Sequence, residues 1–566
     1  MTTTTQQKRR IHLFDTTLRD GAQTPAVNFR SDDKMRILRA LVDLGVDYVE
    51  VGWPGANPTD TKVFADWADE RTAMPEKPKT QTVSFGMVRD PRKSVGNDAS
   101  LQTVLGVSAD TYCLFGKSWD FQAHLLGATD EEYLRAISES VKAAAKKGEA
   151  IFDAEHFFQG YRANPTYALN AVKAAYEAGA RWVVLCDTNG IMEPDDISEI
   201  VREVTKHVPG SHLGIHTHND HGFADANTLA AVKAGCCHVQ GTINGLGERC
   251  GNANLINFIG SLFTKDHLRA AFDCGLEQED LLKLKPLAEL VAEISGIPLP
   301  ANAPFVGECC ADQKAGKHVD LVLKDERSYT AHDSRMFGIE PRIEVSNQSG
   351  ISNFLPFLNG MGLDTGKENP SVRALVSALK HRTEEGYVYK NGMGSFEVLA
   401  LRTYGLMPKY FDLSSYRAVV ERLPGNGTPS ASEHFKLAAQ ATVEFLDCEG
   451  KMAEPDVSNG NGPVNALDGA MRRSLLRAYP ELAQLKLLDF RQTVLNPKDG
   501  TDAIMQVQIV SYSPQYGEIK TIGVSGNSAD ASVVALLDSY ALHLKRLGVA
   551  PRAFGRACKP TGTQPH

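Results

Sequence analysis

The sequence has no apolar run that approaches the ~20 residues of a membrane-spanning helix. Its first ten residues, MTTTTQQKRR, also lack the apolar centre of a secretory signal. Basic residues are in deficit, because 60 Lys and Arg stand against 69 Asp and Glu and give a net charge of −9. We therefore expect a soluble, cytoplasmic protein that binds small molecules, with neither nucleic acid nor a membrane as partner.

The cysteines show no pattern that would indicate a metal or disulfide scaffold. The ten cysteines include two adjacent pairs, at 236–237 and 309–310, and no C-x-x-C spacing. This arrangement predicts reduced thiols that are mostly buried. With 42% hydrophobic and 23% charged residues over 566 positions, the composition is that of a globular chain. Its length predicts roughly three or four domains.

Apolar segments alternate with amphipathic helical stretches between residues 11 and 260. The eight segments are IHLFDT from residue 11, YVEVG from 48, TVSFGM from 82, TYCLFG from 111, AIFDAE from 150, WVVLCDT from 182, HLGIHTH from 212 and HVQGTI from 238. This alternation is typical of a parallel sheet with helices outside. Eight strand–helix units in about 250 residues predict an α/β fold, the TIM (β/α)8 barrel, with a doubly wound open sheet as the alternative.

Polar residues cluster where these predicted strands end. In LGIHTHND, His216 and His218 lie two residues apart and face the same side of a strand. An isolated His-x-His is more often a polar strand end in solvent, but in a barrel the strand ends meet at one mouth. The residues expected there are also Arg19, Asp20 and Gln23 after the first strand, Glu155 after the fifth, Asp187 and Thr188 after the sixth, and Glu248 and Asn252 after the eighth.

This group of residues predicts a divalent metal site. A carboxylate, two imidazoles and an amide oxygen form a mixed nitrogen and oxygen donor set that suits Mg²⁺, Mn²⁺ or Zn²⁺. Two histidines and one carboxylate also describe a non-haem iron oxygenase site, which stays an alternative. Arg19 beside Asp20 suits the stabilisation of a developing oxyanion. The donor types alone do not name the reaction.

The barrel region contains the motifs DTTLRDGAQ, VGWPGANPTD, GKSWDF, IFDAEHFFQGYRAN, LCDTNG, LGIHTHND and QGTINGLGERCGNANL. The later part contains GKHVDLVLKDERSY, EVSNQSG, GNGPVNALDGAMRRSL and TIGVSGN. In this order the motifs resemble the DRE-TIM metallolyase superfamily, and most closely the citramalate synthase branch of the isopropylmalate and homocitrate synthase group. The resemblance covers nearly the whole chain, including that group's linker subdomains and C-terminal regulatory domain.

The resemblance implies a Claisen-type condensation. Acetyl-CoA, the co-substrate, adds its methyl carbon to the keto group of a 2-oxo acid, and the thioester is then hydrolysed to release CoA. The implied ligands of the divalent metal are Asp20, His216, His218 and Asn252. The resemblance places Arg19 at the oxyanion.

Further residues take roles from the same resemblance. Thr188 matches a threonine that contacts the substrate carboxylate, and Gln23 matches a position near the reacting groups. Glu155 is a candidate for proton handling or orientation. His318 in GKHVD matches the catalytic histidine that reaches the active site from the partner subunit, so we expect at least a homodimer. The chain departs from the family at three positions of the linker region, Gln313, Lys317 and Ile351.

Composition and resemblance together predict the domain boundaries. We expect a catalytic barrel at 1–265, linker subdomains that contribute to the partner's active site at 266–430, a C-terminal α+β regulatory domain at 431–550 and a tail at 551–566. The segment ERLPGNGTPSA at 421–431 is rich in Pro, Gly and Ser and reads as a linker. The resemblance implies that the C-terminal domain senses an amino-acid effector, isoleucine or leucine.

The identity of the 2-oxo acid rests on few residues. The segments GWPGANPTD and GKSWDF favour pyruvate, and 2-oxoisovalerate, the acceptor of 2-isopropylmalate synthases, is the alternative. A lyase or an aldolase shares the barrel and the metal motif, but neither explains the C-terminal module. A catalytically silent amino-acid sensor is a further hypothesis, which the intact ligand set and Arg19 oppose.

Overall fold

The computed structural model describes residues 8–344, 351–366, 368–424 and 435–554. The described residues form two compact units, one from Met1–Ala311 with His332–Pro341 and one from Asp312–Ala331 with Arg342–His566. Each unit has its own hydrophobic core. None of the helices in these ranges combines the length and apolar character that a membrane crossing requires.

Eight parallel strands close into a barrel in the first unit. In chain order they span His12–Asp15, Tyr48–Gly52, Gln81–Met87, Thr111–Lys117, Glu149–Glu155, Trp182–Asp187, Leu213–Thr217 and His238–Gly241. Each strand pairs with the next in sequence, and the eighth pairs with the first. Helices cover these strands from outside, which explains their nearly continuous apolar sequences. The prediction of a TIM barrel is confirmed, and the open sheet is excluded.

Helices surround the barrel and present one apolar face to it. They span Ser31–Leu44, Pro58–Ala73, Ala99–Gly106, Asp120–Leu125, Asp130–Ala145, Phe157–Ala163, Pro165–Glu177, Pro194–Val204, Ala224–Ala234, Leu255–Thr264, Asp266–Ala271 and Leu284–Ser295. In the first helix Ile37, Leu41 and Leu44 are buried at helical spacing, and the helix ends at Gly45 with φ of 93°. Two short strands, Arg9–Arg10 and Phe272–Asp273, pair in parallel beside the barrel.

The second unit combines helices with two antiparallel sheets. Its helices span Gly316–Val322, Ile351–Gly360, Pro370–Glu384, Met393–Thr403, Pro463–Leu475 and Ser528–Arg546. One sheet contains Phe411–Pro424, Phe435–Asp447 and Asp456–Gly460, and the other contains Lys486–Val494, Met505–Ser513 and Gly517–Ser525. The α+β character predicted for the C-terminal region is confirmed.

The segments TVEFLDCEG, LLDFRQTVL, AIMQVQIVSYS and IKTIGVSG were predicted as strands, and each overlaps a strand of this unit. Two further strands were not predicted from sequence. Asp456–Gly460 has the sequence DVSNG, in which Asp, Asn and Gly disfavour strands, and it forms by pairing with Phe435–Asp447. Phe411–Pro424 pairs with the same strand and includes the first residues of the predicted 421–431 linker. Residues 425–431 of that segment, and 345–350 of the EVSNQSG motif, lie outside the described residues. The domain boundaries at 265, 430 and 550 stay predictions.

Candidate active site and metal centre

Three predicted metal ligands meet at the carboxyl ends of the barrel strands. The Nε2 atom of His216 lies 3.3 Å from Oδ2 of Asp20 and 3.2 Å from Nε2 of His218. The Asp20 oxygen is also 3.9 Å from Nε2 of His218. All three residues are buried. Candidate ligand atoms of the three residues lie within 4.8 Å of one another, which is close enough for one ion to contact all of them.

Local structure explains why these side chains converge. His216 lies in the seventh strand, and His218 follows it directly with the same orientation. Asn252 forms an isolated antiparallel bridge with His218, so the loop after the eighth strand lies against the ligand pair. Asp20 lies in a tight turn in which its N–H donates to the carbonyl of Thr16 at 2.9 Å.

Buried polar atoms without partners lie beside the two histidines, and together with this cluster of ligand atoms they indicate that a group belongs at this site. Oδ1 of Asp20 and both amide atoms of Asn252 are buried and have no hydrogen-bond partner among the described residues. Such atoms are costly in a folded protein unless a ligand satisfies them. A carboxylate, two imidazoles and an amide oxygen fit a divalent cation, so the residues present fit the metal that the sequence predicts.

Asp20 and His218 have the charge states that bind a cation, whereas the pKa of His216, which burial alone would lower, is raised above its ordinary value by Asp20. Burial alone would raise the pKa of Asp20, but Arg19 and His216 hold it well below its ordinary value, so the carboxyl is ionised. Burial and the neighbouring His216 lower the pKa of His218 to about 3, so its ring is neutral at pH 7. Ionised carboxylates and neutral imidazoles are the forms that bind metals.

Arg19 lies next to this group and is held from three sides. Its Nε atom donates to Glu50 at 2.6 Å, a terminal nitrogen lies 3.4 Å from Asp20, and the guanidinium stacks 3.8 Å from the centre of the Phe85 ring. Although burial opposes its charge, Glu50 and Asp20 keep the pKa of Arg19 above its ordinary value. Arg19 is therefore a fixed positive charge beside the ligand cluster.

A cavity of about 170 Å³ opens over these groups. The predicted residues Gln23, Glu155 and Thr188 line it together with Arg19, Asp20 and both histidines. Thr188 Oγ1 accepts a hydrogen bond of 2.8 Å from the N–H of His156, which leaves the hydroxyl hydrogen available to a ligand. Glu155 forms an ion pair with Lys117. Asp187, by contrast, accepts from the N–H groups of Ile191 and Met192 and shapes its own loop.

Several residues of this site were missed from sequence. Glu50 lies inside the second strand, and a charged residue within the apolar segment YVEVG is a signal that could have found it. Trp53, Phe85 and Phe115 form an aromatic wall of the cavity, but aromatic residues in strands are too common to indicate a site.

Arg249 links three loops at the mouth of the barrel through hydrogen bonds. It adopts a left-handed backbone conformation with φ of 59°. Its guanidinium donates to both carboxylate oxygens of Asp220, at 2.8 and 2.9 Å, and to the carbonyl of Thr188 at 2.7 Å. The loops after the sixth, seventh and eighth strands are therefore joined by one side chain.

His318 lies in the second unit, outside the group that the barrel brings together. It belongs to the helix Gly316–Val322, and its ring stacks on Tyr329 with centroids 4.0 Å apart. The backbone of Gln313 bonds to Arg342 and Glu344, whereas Lys317 is exposed. The side chain of Ile351 lies outside the described residues. The catalytic role of His318 stays a prediction.

Comparisons with known proteins agree with the fold. The profile of the HMGL-like family matches residues 10–288, and that of the LeuA allosteric (dimerisation) domain matches residues 394–544. The (R)-citramalate synthase of Aquifex aeolicus is 39% identical over 541 residues, which cover 95% of this chain and 98% of that enzyme. The (R)-citramalate synthase of Geobacter sulfurreducens is 38% identical over 94% of this chain and 98% of that enzyme. A 2-isopropylmalate synthase of Acetivibrio thermocellus is 30% identical over 81% of this chain and 84% of that enzyme. The chain belongs to the (R)-citramalate synthase family.

Proposed function

We propose that the protein condenses acetyl-CoA with pyruvate and hydrolyses the thioester, releasing (R)-citramalate and CoA. The methyl carbon of acetyl-CoA loses a proton and bonds to the keto carbon of pyruvate, whose oxygen becomes an alkoxide and takes up a proton. Water then cleaves the thioester, and CoA leaves as the thiol. The observation that carries the proposal is the position of Arg19, 3.4 Å from Asp20 in a ligand cluster of a chain that aligns with citramalate synthases over almost its full length.

The ligand cluster supports a divalent cation, Mg²⁺ or Mn²⁺ with Zn²⁺ as the alternative. Asp20, His216, His218 and Asn252 would hold it. When bound, the cation acts as a Lewis acid toward the keto oxygen of the 2-oxo acid. Arg19 stabilises the negative charge that develops on that oxygen, because it is buried, charged and held by Glu50 before the reaction starts.

Thr188 and Gln23 bind and orient the acceptor. The free hydroxyl hydrogen of Thr188 donates to the carboxylate of the 2-oxo acid, while the oxygen stays bonded to the N–H of His156. Gln23 lies at the same cavity and supplies an amide to the reacting groups. Glu155, with Lys117 beside it, orients the substrates or relays a proton.

The aromatic wall supports pyruvate over larger 2-oxo acids. Phe85 and Phe115 stack at 5.2 Å, and Trp53 meets both rings edge-on at 5.7 and 5.6 Å. These mutual contacts leave the rings little freedom to move aside for a branched side chain. 2-Oxoisovalerate, the acceptor of an isopropylmalate synthase, is the alternative, and one methylene changes discrimination by only ~1–3 kcal/mol.

His318 of the partner subunit is the proposed base for the methyl proton of acetyl-CoA, which makes the protein a homodimer. The match to a LeuA dimerisation domain supports this assembly. Mixing unfolded Asp20→Asn and His318→Ala chains and refolding them tests it. A site shared between subunits restores about a quarter of wild-type activity in the mixture, because half of the random dimers carry one intact site. No restoration would contradict the shared site.

The same C-terminal domain is the proposed sensor of isoleucine, with leucine as the alternative effector. Its glycine-rich turn leads into the helix Pro463–Leu475, whose free N–H groups suit a carboxylate. Activity measured with each amino acid at millimolar concentration tests this. A rate that neither amino acid changes would contradict it.

The experiment that tests the function measures CoA thiol release from acetyl-CoA with Mg²⁺ or Mn²⁺. The acceptors are pyruvate, 2-oxobutyrate, 2-oxoisovalerate, 2-oxoglutarate and glyoxylate, and the control contains a chelator. We expect metal-dependent release that is fastest with pyruvate. Faster release with 2-oxoisovalerate would assign an isopropylmalate synthase, and no release with any acid would overturn the proposal.

A further inference from the structure

Gln240 lies between the metal ligand His216 and a buried carboxylate. It belongs to the eighth strand, where it is the register neighbour of His216 in the seventh. Its Oε1 atom is 2.9 Å from Nδ1 of His216, and its Nε2 atom is 2.9 Å from Oδ1 of Asp153. Gln240 is fully buried and Asp153 is 4% exposed. The three side chains therefore form one chain of hydrogen bonds inside the barrel.

The hydrogen bond to Asp153 defines which way the amide of Gln240 points. The Nε2 atom of Gln240 donates to Oδ1 of Asp153, and its Oε1 atom faces Nδ1 of His216. With its NH₂ group on Asp153, Gln240 presents its carbonyl oxygen to His216. A carbonyl oxygen only accepts, so Nδ1 of His216 carries a hydrogen.

The hydrogen on Nδ1 determines what the other ring nitrogen can do. A histidine that binds a cation is a neutral imidazole with one N–H, so with the hydrogen on Nδ1 the lone pair of His216 is on Nε2. This is the atom that lies 3.3 Å from Asp20 and 3.2 Å from His218. If the amide of Gln240 were reversed, its NH₂ group would favour the other tautomer, in which Nε2 is protonated and cannot bind a cation.

We propose that Gln240, oriented by Asp153, is a positioning residue that holds His216 in the tautomer whose Nε2 binds the divalent cation. The proposal rests on the metal site of the proposed function and extends it to two residues outside the proposed ligand set. Outer partners of metal-binding histidines of this kind fix the tautomer and the ring orientation, and their loss costs ~10–100-fold in metal affinity.

The test is the Mn²⁺ dissociation constant of the metal-stripped, full-length protein, measured by titration calorimetry. Gln240→Met keeps the volume but removes the acceptor, and we expect binding ~10–100-fold weaker. Asp153→Asn leaves the orientation of the Gln240 amide unspecified, and we expect about tenfold weaker binding. Circular dichroism of the metal-free variants checks the fold, and Gln240→Asn, which is too short to reach both partners, replaces Gln240→Met if that variant does not fold.

The double variant Asp153→Asn/Gln240→Glu exchanges the carboxylate and the amide between the two positions. This exchange variant distinguishes a role of Gln240 in positioning His216 from a role in packing alone. The new carboxylate accepts from His216 and from the new amide, so every hydrogen bond and the net charge are retained. We expect the affinity to return to within about threefold of wild type, which a role in packing alone would not produce.

Each outcome decides between the two proposals. Wild-type affinity in Gln240→Met, or an exchange variant as weak as Asp153→Asn, would overturn the positioning role while the metal site stands. A wild-type protein that binds no Mn²⁺ would overturn the metal site, and the positioning role with it. The variant His218→Ala marks the loss expected when a ligand itself is removed.

Discussion

Buried histidines lie at both ends of the barrel, but their neighbours differ. The mouth, formed by Arg19, Asp20, His216 and His218, directs nitrogen and oxygen atoms at one cavity. The floor, formed by His12, Tyr48, Trp182 and His238 at the starts of their strands, directs rings at one another. The ring of His238 lies 4.9 Å from Trp182 and 5.5 Å from Tyr48. Its two nitrogens have no hydrogen-bond partner among the described residues.

The comparison shows that a buried polar atom without a partner does not by itself indicate a ligand site. At the mouth such atoms converge with a carboxylate and two imidazoles. At the floor His238 lies among aromatic rings, and the nearby polar groups satisfy one another: Tyr48 donates to Glu149 at 2.6 Å and accepts from Trp182 at 3.0 Å. Convergence of donor atoms on a cavity is therefore what separates a site from a core histidine.

The largest expected effect is a loss of kcat, and it is tested by replacing one aspartate with asparagine at each end of the barrel. Asp20→Asn removes the only carboxylate in the proposed ligand set, and we expect kcat for CoA release to fall at least ~10³-fold, since Lewis-acid stabilisation contributes several kcal/mol. Asp47→Asn at the floor loses acceptor strength toward Arg10 and the N–H of Leu13. It should cost ~1–3 kcal/mol of stability and leave kcat nearly unchanged. Equal losses of kcat would break the distinction between mouth and floor.

The next prediction compares two arginines that stack on aromatic rings, one at each end of the barrel. Arg19 lies 3.8 Å from the Phe85 ring, and Arg181 lies 3.7 Å from the Trp182 ring. Arg19→Lys cannot reproduce the contacts to Glu50, Asp20 and the ring, so we expect kcat to fall ~10²–10³-fold. Steady-state kinetics of Arg181→Lys should show wild-type kcat. A fully active Arg19→Lys enzyme would contradict the oxyanion role.

Widening the mouth should change which acid reacts. Phe115→Ala removes one ring of the aromatic wall, and we expect the ratio of kcat/KM for 2-oxoisovalerate to that for pyruvate to rise ~10–100-fold. Phe121→Ala, at a ring that is 52% exposed, is the control and should leave the ratio unchanged. An unchanged ratio in Phe115→Ala would mean that other residues select the acceptor.

The smallest expected effect is a change in how stability depends on pH, and it comes from His238 at the floor. Burial, together with His12 and Arg181, lowers the pKa of His238 well below its ordinary value. The unfolded chain then binds a proton near pH 6.5 that the folded chain excludes, so stability falls as pH drops below this value, by up to ~1.4 kcal/mol per pH unit. In His238→Leu this contribution is absent. Its melting temperature should therefore fall less than that of wild type between pH 7.5 and 5.5, and an equal fall would contradict the assignment.

Much of the barrel and its ligand set could be predicted because both follow local rules. The apolar segments were each assigned to the strand that the structure shows, and His216 and His218 face one way because strands alternate with a period of two. The strand Asp456–Gly460 could not be predicted, because its Asp, Asn and Gly residues disfavour a strand and its pairing is with a distant segment of the chain. Glu50 could have been found, but its pairing with Arg19, 31 residues away, could not.

The sequence by itself determined the order of strands and helices, the polar residues at the strand ends and the family, because each depends on short patterns that survive without knowledge of the fold. Only the tertiary structure decided which buried histidines have metal-type neighbours and which have aromatic ones. It also joined Asp153 to Gln240 across 87 residues of chain. Closure of the barrel brings such residues within hydrogen-bond distance, and no local pattern encodes that distance.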